Sequence, residues 1–188
     1  WLGYVAVPNV DATIEQAVKL GGSVVMSPMD IPMVGRSAVI ADPQGAAIGI
    51  FTPVGDAPGH EGAPNTGEFS WNELFTTDYT AASKFYSDLF GWEKGQAMDM
   101  GEGLGIYQLF RRNGRDVGGM FNKPDPNMPS MWCYYVRVPE MAAAQQRITS
   151  GGGTVVNGPM EVPGGDTILM ATDPQGAMFA VHYVKNPA

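Results

Sequence analysis

Three observations predict an α+β fold of tandem βαβββ modules. At an offset of 131 residues the start of the chain lies on its end without a gap: Trp1 on Trp132, Tyr4 on Tyr135, Val5 on Val136, Val7 on Val138 and Pro8 on Pro139. The register holds through Gly21-Gly22 on Gly152-Gly153 and Pro28-Met29 on Pro159-Met160. It ends with Asp42-Pro43-Gln44-Gly45-Ala46 on Asp173-Pro174-Gln175-Gly176-Ala177. Within each copy the apolar spacing changes from period two to helical and back to period two. A more divergent third copy of the same order fills the middle of the chain.

Residues 1–53 match the last module and read as strand, helix and three strands. Residues 54–67 are rich in Gly, Pro and Ala and form a linker. In the central module Phe69 to Phe75 alternates as a strand. Thr80 to Phe90 is amphipathic, with Ala81, Phe85 and Leu89 on one face, and Gly91 stops it. Trp92 to Asp99, Ile106 to Arg111 and Arg115 to Phe121 are the following strands, and the Pro-rich stretch Asn122 to Pro129 is a second connection. In the last module Trp132 to Val138 alternates as a half-buried strand, and Glu140 to Ser150 carries Met141, Ala144 and Ile148 at helical spacing. The run Gly151-Gly152-Gly153 supplies a left-handed stop. Thr154 to Val162, Thr167 to Thr172 and Met178 to Val184 are strands separated by Pro163-Gly164-Gly165 and by the Asp173-Pro174-Gln175-Gly176 turn.

Composition excludes several classes of partner. The chain has 188 residues, 44% hydrophobic and 16% charged, enough for one or two globular cores and unlike a disordered segment. Its formal charge of −8, with lysines and arginines scattered singly, leaves no basic stripe for nucleic acid. No apolar run reaches the roughly 20 residues that cross a bilayer, so no membrane partner is expected. The single Cys133 permits no internal disulfide, and a cytoplasmic setting is expected. Gly101-Glu102-Gly103-Leu104-Gly105 joins two strands and precedes no helix, so it reads as a hairpin turn and not as a phosphate cradle.

The string from Ala81 to Trp92, Ala-Ala-Ser-Lys-Phe-Tyr-Ser-Asp-Leu-Phe-Gly-Trp, resembles the first-helix signature of the vicinal oxygen chelate superfamily, which includes glyoxalases, bleomycin-resistance proteins and extradiol dioxygenases. The Asp-Pro-Gln-Gly turns resemble its final-hairpin signature. The resemblance implies modules paired into a cup-shaped mixed sheet with helices on the outside. It makes residues 68–188 a complete two-module domain and residues 1–53 the second half of an incomplete first domain. That unpaired module is expected to expose an apolar face and to support self-association.

The same resemblance implies where a divalent metal would be held: by a His or Gln on the first strand and a Glu on the last strand of each paired module. The first-strand position falls on Trp71 in the central module, on Leu2 in the first, and in the last on Cys133, or on Trp132 if the register differs by one. The last-strand position falls on Ala180 and on Gly49, and Val117-Gly118-Gly119-Met120-Phe121 offers no ligand. No metal and no other cofactor is therefore expected, a divalent metal being the alternative. His182 lies two residues beyond Ala180 and shares its strand face. His60 falls in the linker, and Cys133 reads as a small core residue or as a ligand or nucleophile.

Strand alternation groups Trp71 with Phe69, Glu73 and Phe75, and Cys133 with Tyr135 and Arg137. These residues, with His182, describe an aromatic lining with a few polar groups, suited to a flat or partly apolar small molecule. A solvated or paired Glu73 and Arg137 beside ordinary core aromatics is the other reading. Glu73 is the candidate general base. Three functions are compatible with this pattern: a metal-free small-molecule binder of the bleomycin-resistance kind, a metal-dependent glyoxalase-like lyase or extradiol-type dioxygenase, and a structural or assembly module.

Overall fold

The computed structural model describes residues 1–55 and 62–185, so His60 and part of the linker lie outside the described residues. Among the described residues twelve strands and three helices follow one another as βαβββ three times, and the strands lie in two mixed sheets. The chain divides into two compact units, one of Trp1, His60–Asn72 and Cys133–Ala188, the other of Leu2–Gly59 and Glu73–Trp132. Each is described separately.

The larger unit begins with β1 (Tyr4–Ala6), α1 (Val10–Lys19), β2 (Ser23–Ile31), β3 (Gly35–Ala41) and β4 (Ala47–Pro53). Their sheet has the order β1-β4-β3-β2, with β1 parallel to β4 and the other pairs antiparallel. The first strand is shorter than the alternation starting at Trp1 suggests. Tyr4 is paired with Gly49, where a Cβ would stand 2.5 Å from the Tyr4 ring, so only glycine admits that approach. Asn9 caps α1 by accepting from Ala12 N at 3.0 Å. Helix α1 buries Val10 and Ala17, while β3 and β4 bury Ala38, Ile40, Ile48 and Ile50. Strand β2 has two breaks in register and leaves Val24, Val25, Met29 and Ile31 exposed.

The same unit contains the second half of β5 (Phe69–Thr76), α2 (Tyr79–Phe90), β6 (Glu93–Asp99), β7 (Ile106–Arg112) and β8 (Arg115–Asn122). Asp78 caps α2 by accepting from Thr80 N and Ala81 N, and Gly91 closes it at φ 71°, the left-handed stop its sequence position predicts. Strands β6, β7 and β8 are consecutive antiparallel neighbours. Residues Gly101 to Gly105 form the β6–β7 hairpin turn, as expected from their lack of a following helix.

The smaller unit takes the first half of β5 and most of β9 (Met131–Arg137), followed by α3 (Met141–Ser150), β10 (Thr154–Glu161), β11 (Thr167–Thr172) and β12 (Met178–Tyr183). Glu140 is the cap of α3 and not its first residue: its carboxylate accepts from Ala142 N and Ala143 N, which holds its pKa below the ordinary range. The left-handed residue after α3 is Gly152 at φ 87°, one place later than a simple stop at Gly151. Met141 and Ala144 of α3 pack on Leu169, Ala171 and Val181. A fully buried aliphatic side chain of this kind contributes about 1.5–3 kcal/mol. Strand β12 runs parallel to β9, pairing Ala180 with Tyr135 and His182 with Arg137, and antiparallel to β11.

Candidate functional site

In the larger unit the second half of β5 places Glu73 and Phe75. Glu73 is only 8% exposed, and its Oε1 accepts from the Tyr107 hydroxyl of β7 at 2.7 Å. The Tyr107 ring stacks on Phe121 with centroids 5.7 Å apart, and Phe75 meets Phe121 edge-on at 4.6 Å. Space for that phenol comes from Gly119, where a Cβ would stand 2.1 Å from the Tyr107 ring. Sequence reading noted Gly119 only as a position without a metal donor. Its small size opposite the bulky β7 strand was the available clue to Tyr107, which was not singled out.

A second polar network lies in the same unit. Asp42 is 3% exposed; its Oδ1 accepts from Gln44 N at 3.0 Å and Ala46 N at 2.9 Å, and its Oδ2 from the Tyr86 hydroxyl at 3.0 Å. The Tyr86 oxygen accepts from Trp132 Nε1 at 3.0 Å. Burial raises the Asp42 pKa, partly countered by the hydrogen bonds from Ala46, Tyr86 and Gln44. Trp92 and Trp132 meet the Tyr86 ring, and Phe110 in turn packs against both indoles.

In the smaller unit Cys133 is completely buried and Tyr135 nearly so, whereas Trp71 and Arg137 are half-buried. The Arg137 guanidinium donates to the Pro64 carbonyl. His182, 14% exposed, has both ring nitrogens engaged: Nδ1 lies 2.9 Å from Ser70 Oγ and Nε2 lies 3.0 Å from Asp166 Oδ2. Neither Ser70 nor Asp166 was singled out from the sequence. The clue was the hairpin register, which pairs Ile168 with His182 and brings the residue two places earlier beside that strand's end.

The metal implied by the family resemblance does not fit these residues. Ala180 has no donor atom, Trp71 offers no lone pair, and both nitrogens of His182 already have partners. Among the described residues no group of three or more His, Cys, Asp or Glu side chains is placed to hold an ion.

Residues 68–181 match the family model described as Glyoxalase/Bleomycin resistance protein/Dioxygenase superfamily. The chain is 34% identical over 184 residues to "Putative glyoxylase CFP32" of Mycobacterium bovis, covering 96% of this chain and 68% of that protein. It is 31% identical over 183 residues to anthracycline biosynthesis protein DauV of Streptomyces sp. strain C5, covering 96% of this chain and 64% of that relative. Two solved structures share the fold. One is the Mn(II)-bound glyoxalase of Novosphingobium aromaticivorans, with TM-score 0.64, 17% identity and coverage of 96% of this chain and 61% of that one. The other is 2,2',3-trihydroxybiphenyl 1,2-dioxygenase of Sphingomonas wittichii RW1, with TM-score 0.65, 14% identity and coverage of 96% and 69%. Among the described residues no helix is long and apolar enough to cross a membrane. By its family-model match and by the identity it keeps with relatives along nearly its whole length, the chain belongs to the glyoxalase, bleomycin-resistance and dioxygenase superfamily.

Proposed function

We propose that this chain binds a small, aromatic or partly apolar molecule without a resident metal, in a cytoplasmic setting. The observation that carries the reading is the Glu73–Tyr107 pair, a carboxylate and a phenol 2.7 Å apart beside Phe75 and Phe121. Aromatic faces supply contact area, and the acid–phenol pair fixes a polar end of the ligand. Relatives named for glyoxylase activity and for anthracycline biosynthesis support a small-molecule role over a purely structural one. The donor-poor residues at the expected ligand positions support binding by shape and hydrogen bonding.

The test is a thermal-shift and calorimetric screen against phenols and aromatic carboxylic acids, with metal analysis of the purified protein. A hit is expected to keep its affinity in the presence of a chelator and to lose about tenfold in Glu73→Gln, the cost of weakening one charged hydrogen bond. Stoichiometric Fe, Mn, Zn or Ni, or an affinity untouched by Glu73→Gln, overturns the reading.

A further inference from the structure

Ser70, Asp166 and His182 form a linear hydrogen-bonded series within the smaller unit, apart from the Glu73 group on which the proposed binding rests. Ser70 sits on the first half of β5, Asp166 follows Gly164-Gly165 in the β10–β11 turn, and His182 is on β12. The turn is pinned on both sides of Asp166. Its carbonyl accepts from Val162 N at 2.9 Å and its Oδ1 from Lys185 N at 3.1 Å, which leaves Oδ2 for the imidazole.

The protons follow from the acceptors. An ionised carboxylate only accepts, so the contact with Asp166 Oδ2 places the proton on His182 Nε2. In the neutral ring Nδ1 then has a lone pair, and the Ser70 hydroxyl must be the donor across 2.9 Å. The carboxylate therefore selects the tautomer that polarises the Ser70 O–H bond, the relation of orienter to base to nucleophile that makes a serine reactive. When the ring is protonated, Nδ1–H donates to Oγ, and the hydroxyl proton has a second acceptor in the Tyr135 carbonyl at 3.2 Å. His182 and Asp166 retain 14% and 29% side-chain exposure and Ser70 is half-buried, so the series is shielded without being sealed.

We propose that Ser70 is a nucleophile for acyl transfer from an activated ester or thioester, with His182 as general base and Asp166 as the residue that positions it. Ser70 Oγ bonds to the acyl carbon as its proton passes to His182 Nδ1. The tetrahedral intermediate then breaks its bond to the leaving alkoxide or thiolate, which takes that proton. Water repeats the sequence on the acyl-serine, releasing the carboxylic acid and restoring the hydroxyl, with no change of oxidation state.

The experiment treats the full chain with a fluorophosphonate probe and, separately, with p-nitrophenyl acetate, and locates adducts by peptide mass spectrometry. A phosphonyl adduct on Ser70 and a burst of p-nitrophenolate are expected from the wild type. Ser70→Ala is expected to lose both, and His182→Gln to slow labelling about a hundredfold. Asp166→Asn, which removes the demand for a proton on Nε2, is expected to slow labelling at least about tenfold, with Asp166→Glu recovering part of the rate. Thermal midpoints of the variants separate these effects from loss of fold, and the wild-type adduct is read without any variant. Absence of an adduct at Ser70, or equal labelling rates in wild type and folded Asp166→Asn, overturns the proposal. Ligand binding through Glu73 can fail or stand independently of either result.

Discussion

The turn at Asp42 and the turn at Asp173 have the same five residues and nearly the same geometry, yet they hold their carboxylates in different surroundings. In both, Oδ1 accepts from the amides two and four residues later at 3.0 and 2.9 Å, and the glycine is left-handed, at φ 93° for Gly45 and 85° for Gly176. Asp173 is half-buried, whereas Asp42 is buried with its second oxygen under the Tyr86 hydroxyl. Five residues suffice to fold the turn, because an Asx acceptor and a left-handed glycine act over four positions. What the turn meets is decided by a helix forty-four residues away in sequence.

The largest expected effect that separates the two turns comes from Tyr86→Phe. It removes two buried hydrogen bonds together, to Asp42 and from Trp132, and is expected to destabilise the protein by about 2–3 kcal/mol in urea unfolding. A loss below about 0.5 kcal/mol would mean that the burial at Asp42 has no energetic consequence. A smaller effect tests what the turns share. Gly45→Ala and Gly176→Ala place a side chain in open space at a left-handed φ, so each is expected to cost about 1–2 kcal/mol, and by similar amounts. Unequal costs would show that the local geometry is not independent of its surroundings.

The smallest effect is a slope against pH. Because burial raises the Asp42 pKa in the folded state, the stability contributed by its protonation is fully present below the ordinary carboxylate value of 3.8. It is lost as pH rises through the raised folded value. Asp11 and Glu140 have lowered values, so their contributions run the other way, present above the ordinary carboxylate range and lost on acidification. Comparing wild type with Asp42→Asn cancels those terms. The stability difference is expected to move in favour of the wild type as the pH is lowered from neutral, and a flat or reversed difference removes the assignment.

The elements were legible because their signals are local. Gly91 stops α2 in the left-handed conformation read from its position, and the period-two runs became β5, β7 and β11 within a residue or two of their observed ends. The βαβββ order and the superfamily were readable for the same reason, since the helix string from Ala81 to Trp92 and the two Asp-Pro-Gln-Gly turns are contiguous in sequence. Pairings across strands were not. Ser70 reaches His182 over 112 residues and Tyr107 reaches Glu73 over 34, and each depends on a register in which a slip of one residue reverses the side chain. Glu73 and His182 were singled out from strand alternation, but their partners Tyr107, Ser70 and Asp166 required the register itself. The match of residues 1–7 to the strand at residues 132–138 also overstated β1, which begins only at Tyr4.

The cluster around Tyr86 also gives the larger unit its own optical signal. Of the four indoles, Trp92 and Trp132 lie 5.9 Å apart at nearly a right angle within that cluster, and Trp132 shares its N–H with the phenol. Fluorescence from the buried Trp132 is held in a ring-lined setting beside the half-buried Trp92, and its emission shifts to longer wavelength when water enters. Trp1, more than half exposed, emits from a wet setting at the outset. Loosening of the ring cluster can thus be followed by light alone, with no added dye and no change to the chain.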